Sequence, residues 1–135
     1  MRKFLTFLML MVLVAPQALR ADEYIVGDGT LDSRDNPFQN YYSNGYTELI
    51  YPASEIGQAG MINSLAFYCT TPGASQYVHE LRIYIGETDK SAYSGNTDWT
   101  PEADLTMVYQ HTALTIGATD GWQTFEFDTP YLYEG

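Results

Sequence analysis

The chain has 135 residues, with six basic and 17 acidic side chains and a formal net charge of −11. Such a field repels nucleic acid and anionic membrane, because both require a cationic face, so neither is expected as a partner. A single cysteine, Cys69, excludes a small scaffold held by internal disulfides.

The N-terminus carries Met1, Arg2 and Lys3, followed by an apolar run over residues 4–14 and by Ala18-Leu19-Arg20-Ala21. A run of about eleven residues is too short to span a hydrocarbon core of about 30 Å as a helix. The charged, apolar, small-residue order predicts a cleavable secretory signal over residues 1–21, with the cut after Ala21. Export places the chain outside the cell or on its surface, with no membrane insertion. Its removal leaves Arg34, Arg82 and Lys90 as the cations against all 17 acidic residues. Stability must then come from one apolar core built within residues 22–135.

Behind the signal, Gly27-Asp28-Gly29-Thr30-Leu31-Asp32 brings two carboxylates into a glycine-turned segment. Its oxygen-rich composition makes Asp28 and Asp32 candidate calcium ligands, although the segment does not match the twelve-residue calcium loop. Residues 41–51 are aromatic and rich in strand formers, interrupted at Ser43-Asn44-Gly45, and predict a strand with a turn or bulge. Residues 52–60 allow one helical turn with Ser54 as its N-cap.

Period-2 alternation then takes over. Over residues 61–69, Met61, Leu65, Phe67 and Cys69 share one face, and Ser64, Ala66 and Tyr68 the other. Over residues 79–86, Leu81, Ile83 and Ile85 point one way and Arg82 and Tyr84 the other. Strands are also expected over residues 105–110 and 122–128, the latter with Phe125 and Phe127 inward. His79 is expected to begin a strand and His111 to follow one. Alternation of this kind marks antiparallel strands with one wet face. Five or six short strands separated by turn residues predict an all-β domain, a sandwich or barrel. Residues 129–135 read as the approach to a further strand, so the fold is expected to be incomplete at its C-terminus.

Candidate chemistry is sparse. His79 and His111 are the two histidines, Cys69 lies on an inward face, and no nucleophile elbow, phosphate loop or zinc motif occurs. No catalytic residue is assigned. Aromatic residues are the sharper signal, with twelve tyrosines and two tryptophans. Tyr41, Tyr42, Tyr46, Tyr93 and Trp99 are candidate ligand-binding residues, as flat rings with polar handles offer large contact area at low entropic cost. Tyr93 and Trp99 fall in a polar loop of about fifteen residues over 87–101, a length that often carries function in a compact domain.

Several strings together resemble a known family. They are Ile50-Tyr51 with Ser54-Glu55-Ile56-Gly57, residues 62–68 (INSLAFY), Thr88-Asp89-Lys90-Ser91 before Thr97-Asp98-Trp99, and Gly121-Trp122 before Phe127-Asp128-Thr129-Pro130-Tyr131. Their order is similar to β-sandwich modules in secreted and surface proteins of the Bacteroidota, related to the cleaved-adhesin and hemagglutinin domains that accompany gingipain-type peptidases. The resemblance implies an antiparallel jelly-roll-like β-sandwich without catalytic residues, carried with further modules of the same polypeptide. It also implies binding of host protein, glycan or haem-protein ligands. An accessory domain of a larger secreted peptidase or glycoside hydrolase, or a structural spacer module, are the alternatives.

Overall fold

Strand pairing organises the chain as a computed structural model describes it, over residues 23–27, 37–38, 44–70, 76–117 and 119–135. The leader expected over residues 1–21, Asp28, Asp32, Tyr41 and Tyr42 lie outside the described residues. Four strands form among them: β1 (Gly60–Cys69), β2 (Gln76–Ile85), β3 (Thr106–Ile116) and β4 (Gly121–Tyr133). Among the described residues the helical content is one turn, α1 (Ala53–Ile56), and a 3-10 turn over Glu102–Asp104. The protein is all-β, with two antiparallel two-stranded sheets, β1 with β4 and β2 with β3. No helix among the described residues is long and apolar enough to cross a membrane.

The alternation read from the sequence explains the inward faces. Leu65, Phe67 and Cys69 of β1 are shielded while Ala66 and Tyr68 are exposed. In β4, Phe125 is buried and Phe127 half-buried, with Thr124 and Glu126 outside. Met61 departs from expectation and is 55% exposed. The cause is a register shift between Ile62 and Ser64, where residues 127–130 of β4 stand opposite Asn63 alone. Pro130 lies in this irregular stretch, where the N–H it lacks is not needed by a regular ladder. Residues beyond it pair again, Tyr131 with Ile62 and Tyr133 with Gly60. The stretch expected to approach a further strand is therefore the end of β4 itself.

A second irregularity builds the core. Ile83 pairs with Tyr109 and Tyr84 with Met107, leaving Val108 as the extra residue of β3. Such a bulge breaks alternation, so Val108 and Tyr109 are both buried although adjacent. With Ile116 and Phe125 they form the buried cluster, against which Phe67 of β1, Leu81 and Ile83 of β2 and Phe127 of β4 pack. One apolar core thus joins the two sheets. Phe38 enters it too, its ring 5.8 Å from Phe67 and 5.5 Å from Phe125.

Three further expectations need correction. The described part of the segment expected as a strand over 41–51 carries no ladder; strand-forming residues need a partner as well as propensity. The helical turn is capped by Pro52 without a side-chain bond, not by Ser54. His79 and His111 lie inside β2 and β3, and β3 runs on to Ile116.

Ala113 in β3 has φ of 59°, in the left-handed region that side chains resist. It is exposed, so its methyl contributes little packing. Ala113→Gly is expected to raise stability by about 0.5–1 kcal/mol, the relief of strain exceeding the added freedom of the unfolded chain. Urea unfolding of the variant checks this, and a lower midpoint would contradict it.

Candidate functional site

The long connection between β2 and β3 is closed at its base by a close approach. A Cβ on Gly86 would sit 2.7 Å from Leu105 Cδ2 and 3.0 Å from the Asp104 carbonyl oxygen. A side chain at this position would require Leu105 to change rotamer and the Asp104 carbonyl to yield slightly.

Inside the loop, Asp98 is the organising residue. Lys90 Nζ donates to Asp98 Oδ1 at 2.7 Å and to its main-chain oxygen at 3.2 Å. The Ser94 N–H and hydroxyl donate to Asp98 Oδ2 at 2.9 and 3.0 Å, and the Asp98 N–H donates to the Gly95 carbonyl at 3.2 Å. The Lys90 hydrogen bond, followed by those from Ser94, holds the Asp98 carboxyl at about 2, below the usual carboxylate range. A carboxylate depressed in the folded state stabilises above its unfolded pKa, near 3.8, and that contribution disappears as pH falls towards about 2. Asp98→Asn is therefore expected to lower the melting temperature at neutral pH and to show a shallower loss between pH 4 and pH 2. Parallel melts of the two chains across that range check it; identical slopes would remove Asp98 from the account.

Glu48 reaches the loop from the segment before α1. The Thr100 N–H donates to Glu48 Oε2 at 3.1 Å, and the Thr100 hydroxyl donates to Oε1. Desolvation works to raise the Glu48 carboxyl, but the two Thr100 bonds, with Lys90 and Tyr93, outweigh it and hold it below the ordinary value. The same carboxylate acts on the phenols beside it. Tyr93 is pushed up to about 12, by desolvation first and then by Glu48 and Asp98. Tyr46 is raised by desolvation, Glu48 and Glu102.

These groups frame an open cleft of about 380 Å³ lined by Glu48, Tyr93, Gly95, Asn96, Asp98 and Trp99. Tyr46 stands beside it, its ring 4.8 Å from Trp99 at an interplanar angle of 85°. Trp99 remains 50% exposed and Tyr46 56% exposed. The fold thus brings together three of the five aromatic residues singled out in the sequence, Tyr46, Tyr93 and Trp99. Tyr41 and Tyr42 lie outside the described residues, as do Asp28 and Asp32. No group of three or more metal-ligating side chains occurs among the described residues.

Sequence reasoning missed Glu48, which reads as one acid among 17 until the fold sets it against a threonine 52 positions away. It also missed a pairing between the sheets. Asp128 of β4 accepts the Gln110 N–H of β3 at 2.8 Å and contacts His111 Nε2 at 2.9 Å, with Tyr109 stacked on the imidazole at 4.4 Å. The Gln110 bond, then His111, draws the Asp128 carboxyl below its usual value. A second exposed aromatic pair, Tyr68 and Trp122, sits on the outer face of the β1–β4 sheet at 5.3 Å.

Comparison of the chain with protein-family models, curated proteins and solved structures finds no match.

Proposed function

We propose that this chain is a secreted or surface-displayed, non-catalytic binding module that engages host protein or glycan ligands through the Tyr46–Tyr93–Trp99 cleft. The observation that carries the reading is a tryptophan left half exposed at a cleft whose loop is otherwise fixed by its own hydrogen bonds. An exposed indole held by rigid neighbours is pre-organised for contact, so little ordering entropy opposes binding. Two antiparallel sheets sharing one core support the jelly-roll-like β-sandwich implied by the resemblance, in which loops at the sheet ends carry recognition. The resemblance to adhesin modules supports the same assignment, with export through residues 1–21 and further modules on the same polypeptide.

Glycan arrays and a panel of immobilised host proteins, probed with the full chain, test this reading. Binding that is lost in Trp99→Ala and kept in Trp122→Ala is the expected outcome. Absence of binding, or loss only in Trp122→Ala, would overturn it.

A further inference from the structure

Within the cleft, the carboxylates and the rings do different work. Glu48 spends both oxygens on Thr100, and Asp98 spends its oxygens on Lys90 and Ser94. Each carboxylate is thus held in place by donors from the protein and still keeps acceptor lone pairs for a ligand's N–H groups. Asp98 is ion-paired with Lys90, so Glu48 carries most of the negative charge left at the cleft. Tyr46 and Tyr93 feel it directly, since Glu48, Glu102 and Asp98 all act on their phenols, and Lys90 is the cation the fold sets against them. The rings add a second attraction of the same sign, because an aromatic face is the negative end of its quadrupole. Tyr46 meets Trp99 nearly at right angles, 4.8 Å away, and so braces the indole from beside the cleft while leaving it half exposed.

A fixed carboxylate beside a braced, half-exposed indole face suits a cation. We infer that the cleft takes an arginine side chain from a protein ligand, its guanidinium stacked against Trp99 and drawn in by Glu48. Arginine suits it better than lysine, as guanidinium is planar, weakly hydrated and stacks on aromatic faces. The overall charge of −11 complements a basic segment on the partner and speeds its approach. This inference rests on the cleft being the binding site, and it selects protein over glycan as the ligand class.

The probe is a capped peptide bearing one arginine and no other charged group, titrated into the full chain beside analogues with lysine and glutamine at that position. The arginine peptide is expected to bind about ten-fold more tightly than the glutamine analogue, more tightly than the lysine one, and less tightly as salt is raised. Trp99→Ala should abolish the preference and Trp99→Phe should keep part of it, since a smaller ring still offers a face. Equal affinity for arginine and glutamine peptides overturns the inference. If glycans bind through Trp99 while the peptides do not, the cation reading falls and the binding module stands. If neither class binds, both fall. The wild-type comparison decides the matter even where a variant fails to fold.

Discussion

Replacing Phe125 by alanine is expected to remove about 3–5 kcal/mol of folding free energy, the usual cost of deleting a buried aromatic ring. Phe125 is 6% exposed in the middle of β4 and pairs with Leu65 of β1. Its ring lies 5.5 Å from Phe38, 6.5 Å from Phe67 and 5.6 Å from Tyr109, edge to face with the last. It therefore touches both sheets and the segment that precedes them. The cavity left by alanine has little redundancy around it. Five hydrophobic side chains are buried among the described residues, Val108, Tyr109, Ile116, Phe125 and Tyr133. Domains of ordinary stability have about 5–15 kcal/mol to lose, so the variant should sit close to unfolding. Urea unfolding followed by far-ultraviolet circular dichroism measures the loss, with Phe125→Leu as the milder control. A loss below about 1 kcal/mol would mean that the two sheets do not depend on a common core.

Trp99→Ala should act in the opposite way, with a large effect on binding and a small one on stability. The indole is half exposed and its ring contact is with Tyr46, itself exposed, so truncation opens no cavity in the core. Rings of this kind at the centre of a contact cost about 2 kcal/mol or more when removed, about thirty-fold in affinity. The Asp98 network does not use the indole, so the loop should keep its shape. Affinity measured by titration calorimetry, beside a thermal melt of the same sample, separates the two effects. A fall in melting temperature as large as that of Phe125→Ala would make Trp99 a packing residue.

The strands were legible wherever alternation was regular. Leu81, Ile83 and Ile85 announced β2, and Phe125 with Phe127 announced β4, because one buried face imposes period 2 on the residues that build it. Bulges hid the rest. Val108 and Tyr109 are both buried, which no period-2 reading allows, and the shift opposite residues 127–130 leaves Met61 exposed and makes the end of β4 look like a separate element. Beyond Gln110, the left-handed backbone at Ala113 sits among residues that gave no clean alternation, and β3 continued through them. Tyr46 illustrates the opposite error. It lies in a run of strong strand formers, yet no partner strand pairs with that run among the described residues.

Tyr93 and Trp99 were visible as large rings in a polar loop. Their partners were not. Glu48 and Tyr46 come from another segment, and their meeting with Thr100 and Trp99 is a consequence of tertiary folding that no local pattern encodes. The Asp128 carboxylate was similarly silent, since its bond to the Gln110 N–H depends on β3 and β4 lying side by side.

The central claim is that the Tyr46–Tyr93–Trp99 cleft is where this protein meets its ligand. A nuclear magnetic resonance titration of the nitrogen-labelled full chain, with the arginine peptide and then with oligosaccharides, tests it most directly. Saturable shifts are expected at the Trp99 indole N–H and at the amides of Tyr93, Gly95 and Asn96, with the Trp122 indole unmoved. Saturable shifts at Trp122 and Tyr68 with the loop unmoved would contradict it.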